Sequence, residues 1–86
     1  MARTRQPANL VGPQIRKRRY QMGLTQEQLA IQCQLHGLDI SRGTLSQIEA
    51  QVRCVRDMEL LALARVLKVN IESLFATEHK KRKKAD

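Results

Sequence analysis

Aromatic side chains are nearly missing from this chain, which has one Tyr, one Phe and no Trp among its 86 residues. Binders of splayed single strands stack bases on several aromatics, so the composition argues against that mode of binding. Glycine is also scarce. Gly12, Gly23, Gly37 and Gly43 stand singly and leave no glycine-rich loop to cradle a phosphate. The chain is too short for a dinucleotide-binding sheet or a (β/α) barrel, though long enough for one domain. Its two cysteines, Cys33 and Cys54, share no metal-ligand spacing with each other or with His36 and His79. Both are read as free thiols, and neither a metal nor a cofactor is expected. The opening MARTRQPANLVG has no apolar run of signal-peptide size and no stretch reaches membrane-spanning length, so a cytoplasmic protein without a membrane partner is expected. Glu27, Glu49, His36 and the cysteines form no nucleophile–base or paired-carboxylate pattern, which counts against an enzyme.

What the chain has is positive charge. Sixteen Lys and Arg against eight Asp and Glu give +8, which favours an anionic polymer or an anionic membrane surface as partner. The excess is uneven. Residues 1–11 carry Arg3 and Arg5 with no acid, and 77–86 carry five bases and two acids. Both ends lack apolar periodicity and read as flexible basic arms flanking a folded unit over 12–76.

Within that unit the apolar spacing is helical and no alternating stretch reads as a strand. Pro13, after Gly12, suits the first turn of a helix carrying Ile15, Arg19 and Met22 on one side, and Gly23 ends it. Thr25 can cap a second helix starting at Gln26. Gln28 completes a capping box and Leu24 staples onto Leu29. Leu29, Ala30 and Cys33, with Leu35 nearby, make its apolar side until His36-Gly37 stops it. Ser41 caps a third helix with Ile40 stapling onto Leu45. Leu45, Ile48 and Glu49 face inward before Ala50-Gln51 lead out. Asp57 is expected to cap a fourth helix, whose Met58, Leu61, Ala62, Leu63, Val66 and Leu67 would form the floor of the core. Asn70 caps a fifth, from Ile71 to Phe75, with Val69 stapling onto Leu74. Five short helices, the second and third joined by a short turn, suggest a helix-turn-helix domain on pattern alone.

The third helix can be read by angle. At about 100° per residue, Leu45 and Ile48 define a core direction, and the opposite side presents Arg42, Gly43, Ser46, Gln47 and Ala50 with Thr44 on the flank. Those residue types suit a DNA major groove. Arg donates both arms to guanine O6 and N7, Gln pairs bidentately with adenine, and Gly43 lets backbone come close. The free N–H groups at the start of the second helix suit a phosphate.

The residues Ile15-Arg16-x-x-Arg19, Gly23-Leu24-Thr25-Gln26-Glu27-Gln28-Leu29-Ala30, Ser41-Arg42-x-Thr44-Leu45-Ser46-Gln47-Ile48-Glu49 and Leu60-x-x-Leu63-Ala64-x-x-Leu67-x-Val69-Asn70-Ile71-x-x-Leu74-Phe75 resemble the phage-repressor and Cro-like (XRE-type) helix-turn-helix family over nearly the whole folded segment. The resemblance implies an all-α, five-helix, lambda-repressor-like DNA-binding domain and a bacterial or phage transcription regulator, a repressor before an activator. It implies base reading by Arg42, Gly43, Thr44, Ser46 and Gln47. It implies phosphate contacts from Gln26 and from Arg53 and Arg56 in the loop after the third helix; Arg16 and Lys17 on the first helix are expected to flank the groove and add to them. It pairs Arg19 with Glu49 to hold the third helix. It also implies a homodimer on double-stranded DNA, formed on the DNA if not before. The apolar residues left over at the C-terminal end, Ile71, Leu74 and Phe75, are the candidate two-fold contacts, with packing inside the monomer as the alternative. Three departures stand out. The interval from Ala30 to Gly37 is longer than usual, so QCQLHGLDI lengthens the second helix or enlarges the turn. Arg18 stands where relatives often carry an apolar residue, and Ala50-Gln51 replaces an Asn-Gly type of exit.

Two other functions fit the same residues. An antitoxin would use this fold for autoregulatory DNA binding while its tails or fifth helix hold a toxin. A polybasic membrane or RNA binder would rely on Arg3, Arg5 and the cluster 80–84, with the helices as scaffold.

Overall fold

The computed structural model describes residues 6–75. Arg3, Arg5 and the basic stretch 77–86 lie outside the described residues. Five helices follow in order: α1 Gly12–Gln21, α2 Gln26–Leu35, α3 Arg42–Glu49, α4 Asp57–Leu67 and α5 Ile71–Leu74. Among the described residues there is no strand.

Local chemistry sets the starts of α2 and α3. Thr25 Oγ1 accepts from Gln28 N at 3.0 Å and Gln28 Oε1 accepts from Thr25 N at 2.8 Å, closing the expected capping box. Ser41 Oγ accepts from Thr44 N at 3.1 Å. At α4 the expectation needs correction. Arg56 holds the cap position and Asp57 is the first helical residue; Glu59 supplies the bond, its Oε1 accepting from Arg56 N at 2.9 Å. The long interval before α3 is shared between helix and turn. The second helix continues to Leu35, Gly37 takes a left-handed φ of 90°, and Gln34 Nε2 donates to Ile40 O at 2.8 Å to fix the last turn before Ser41.

The core is Ile15 from α1, Leu29, Ala30 and Cys33 from α2, Leu45 and Ile48 from α3, Leu63, Ala64, Val66 and Leu67 from α4, and Leu74, with Val11 and Ile40 from the connections. The fourth helix packs on α1, α2 and α5, and α3 rests on α1 and α2. Burial pushes the Cys33 thiol up to about 11, so it behaves as a small core hydrophobe. Three sequence expectations fail here. Met58 and Leu61 face solvent instead of flooring the core, Leu35 is exposed, and Leu74 is 1% exposed inside the monomer, which removes it from any two-fold contact.

The folded unit also begins earlier than residue 12. Asn9 Nδ2 donates to Ile48 O at 3.0 Å and to Arg53 O at 2.8 Å, while its Oδ1 accepts from Gly12 N at 2.8 Å. Ala8 N donates to Gln51 O at 2.9 Å, and Gln51 Nε2 returns a bond to Asn9 O at 3.0 Å. Residues 8–11 are therefore pinned across the end of α3 and are no free arm.

Candidate nucleic-acid interface

Eight residues make too short a helix to persist alone in water, so the orientation of α3 comes from what holds it. Its inner side is fully engaged. Leu45 and Ile48 are buried in the core, and Glu49, also buried, receives Arg19 bidentately, Nε to Oε2 at 2.7 Å and Nη2 to Oε1 at 2.9 Å. Gln26 Nε2 adds a third donor to Oε1 at 3.1 Å. Arg19 Nη1 donates to Leu24 O at 2.9 Å, and its guanidinium carbon lies 4.6 Å from the Tyr20 ring centroid. The hydrogen bonds that Arg19 donates to Glu49 outweigh burial and hold its guanidinium above the ordinary value.

The far end of α3 is clamped by backbone. A Cβ on Gly12 would lie 2.3 Å from Ile48 O and 3.0 Å from Glu49 O, so α1 starts in direct contact with the last turn of α3. The exit itself is unusual for a non-glycine. Gln51 sits at φ 64°, with Gln51 N donating to Ile48 O and Val52 N to Gln47 O, the paired bonds of a left-handed helix stop.

On the outer side Arg42, Gly43, Ser46, Gln47 and Ala50 are all exposed, as the angular reading expects. None of their side chains takes part in a hydrogen bond or ion pair within the described residues. A methyl on Gly43 would meet only Ser41 Oγ, at 3.8 Å, so the fold has no steric need for glycine there. Thr44 departs from that row. It is half-buried, and its Oγ1 accepts from Ser41 Oγ at 3.1 Å.

The flanking cations sort into different places. Arg16, Gln26 and Arg42 line one open hollow of about 490 Å³ together with Thr25 and Glu27, so the starts of α2 and α3 and one face of α1 converge. Arg16 remains largely exposed, its Nε 3.8 Å from Glu49 Oε1. Lys17 lies elsewhere, on a hollow with Arg18, Val69 and Ser73 beside α5. Arg18 is not a misplaced apolar position, because its Nε donates to Leu67 O at 2.8 Å and closes the end of α4. Arg53 is engaged inside the fold. Both its terminal nitrogens reach Glu59, at 3.0 Å each, and Nη1 also donates to Cys54 O. Arg56, in the same loop, is exposed and its side chain has no such partner.

Sequence reasoning missed Asn9, Gln51 and Glu59. The only local signal for Asn9 was an Asn three residues before a Gly-Pro helix start, which fits a side-chain acceptor for the first helical N–H.

The Helix-turn-helix family model HTH_3 matches residues 15–74, most of the chain. The chain belongs to this XRE/Cro-type helix-turn-helix family, and DNA is the partner that membership carries. Comparison with curated proteins and with solved structures yields no match. No helix among the described residues is long and apolar enough to cross a membrane.

Proposed function

We propose that the chain is a sequence-specific regulator of transcription, acting as a repressor, that reads duplex DNA with the outer side of α3. One observation carries this reading: every inward group of α3 is engaged, while Arg42, Gly43, Ser46 and Gln47 form a continuous exposed row with no internal partner. Arg42 and Gln47 are the bidentate readers, Ser46 an adaptable contact, and Gly43 the point of close backbone approach. Gln26 and Arg16 border the hollow where the helix starts converge, which suits a phosphate held by N–H groups and a cation together. Arg56 serves the strand beyond the α3 exit. Arg53, engaged by Glu59, is assigned to the fold instead.

A lone reading helix spans few base pairs, so two chains on half-sites about 34 Å apart complete the binding unit. Phe75 and Leu10 are exposed and line one hollow with Cys54 and Val55, directly beside the α3 exit, and Ile71 lies one turn away. That apolar edge is the two-fold contact in this reading.

Selection of sites from random duplexes supplies the test. On the selected site Gln47→Ala and Arg42→Ala each cost about 1–3 kcal/mol and leave random-duplex affinity nearly unchanged. Arg56→Ala weakens all duplexes alike and lowers the salt slope by about one. Equal losses for Gln47→Ala on selected and random DNA would refute base reading by α3.

A further inference from the structure

The apolar surface with no role in the reading above lies apart from it, where the residues after α2 meet α4. Met58 is 71% exposed and Leu35 74%, with Leu61 also exposed. Leu38, Met58, Leu61, Ala62 and Arg65 line a groove of about 170 Å³ there. Large exposed apolar side chains grouped in this way mark an interaction surface in a monomeric domain. None of the groove's lining comes from α3 or from the Phe75 edge.

The charges along α4 identify the occupant. Met58, Leu61, Ala62 and Arg65 recur at helical spacing and form one stripe. Asp57 stands one turn before Leu61 and Arg65 one turn after it. Neither Asp57 nor Arg65 is in an ion pair among the described residues. A two-fold contact must be complementary to itself. When two copies of α4 cross antiparallel at Leu61, each Arg65 meets the other copy's Asp57, Met58 covers the far end of the stripe, and the small Ala62 lets the axes approach. A stripe with one charge sign at both ends would repel its own copy; this one does not.

We propose that the α4 stripe, edged by Leu35 and Leu38, is a self-association face that pairs two copies of this chain antiparallel. The pairing itself is independent of the DNA-binding reading. Its consequence rests on that reading: two different two-fold faces on one chain link operator-bound pairs side by side, so neighbouring sites fill cooperatively.

Sedimentation equilibrium of the free full-length chain tests this without DNA, in Phe75→Ala so that the other edge is silent, at about 0.15 M salt to screen the net charge. Concentration-dependent association is expected, and Met58→Glu abolishes it with the helical circular dichroism unchanged. Asp57→Arg and Arg65→Asp each weaken association about tenfold, since both pairs in the contact become repulsive. An equimolar mixture of those two variants recovers it, because each then supplies the charge the other lacks. A chain that stays monomeric up to millimolar concentration, or a mixture no tighter than either variant alone, would overturn the proposal. Because no DNA is present, failure of base reading leaves this result untouched.

Discussion

Removing the carboxylate of Glu49 should cost more stability than any other single truncation on α3. Glu49 is 4% exposed and holds three nitrogens, two from Arg19 and one from Gln26, while Arg19 is 5% exposed. In Glu49→Ala the guanidinium keeps its bond to Leu24 O and loses its counter-charge, and stranding a buried charge costs about 3–5 kcal/mol. A folded unit of this size holds roughly 4–10 kcal/mol in all, so about a third of its stability or more goes. At about 4–8 °C per kcal/mol the melting temperature falls by at least about 12 °C. The stranded charge, not the lost packing, is the cause, and the double variant Arg19→Met with Glu49→Leu separates the two. It removes both charges, fills the space with apolar atoms, and should melt above either single truncation. Thermal and urea unfolding of the parent, Arg19→Met, Glu49→Leu and the double variant measures the cycle, with Glu49→Ala melted beside them. A Glu49→Ala melt within error of the parent, or a double variant no better than the singles, would refute the reasoning.

Three further outcomes follow from other contacts. Gly12→Ala drives a methyl to 2.3 Å from Ile48 O, a backbone atom that cannot swing aside, and should destabilise by about 1–3 kcal/mol; because the strain falls on the last turn of α3, selected-site affinity should drop more than random-duplex affinity in a binding titration. Lys68 ends α4 at φ 57°, so Lys68→Gly relieves a left-handed side chain and should raise stability by about 1 kcal/mol, read as a higher urea midpoint at unchanged slope. Arg53, and after it the Arg56 N–H, holds the Glu59 carboxyl below the usual carboxylate range; its contribution is present above the unfolded value of about 4.3 and is lost as pH falls through the lower folded value. Arg53→Ala should therefore lower the melting temperature at neutral pH, with the gap from the parent closing in acid; a gap that stays constant with pH would separate Arg53 from Glu59.

The features that sequence announces most clearly are those completed within one turn. Thr25 with Gln28, and Ser41 with the Thr44 N–H, need no distant partner, and they place α2 and α3 correctly. Burial is harder to read where a helix is apolar nearly all round. Met58, Leu61, Leu63, Val66 and Leu67 offer two directions for the core, and only packing against α1, α2 and α5 decides that Leu63 and Leu67 turn in while Met58 turns out. Cations mislead for a related reason. Arg53 and Arg56 look alike as loop bases, yet the fold brings the Glu59 carboxylate back to the first and leaves the second exposed. The Asn9 bracket joins groups 39 and 44 residues away, a contact with no footprint in local spacing.

The same contacts explain how a short helix is held in one pose. An isolated helix of eight residues has no stable pose of its own, so every constraint on α3 must come from one side or from its ends. Leu45 and Ile48 set its depth, and the Arg19–Glu49–Gln26 cluster ties it to α1 and α2. Ser41 fixes where it starts, and Asn9, Gly12 and Gln51 fix where it ends. No anchor uses the side chain of Arg42, Ser46 or Gln47. In the proposed reading, pose and recognition reside on separate residues of one helix, and the outer row can change its chemistry without loosening the frame that holds it.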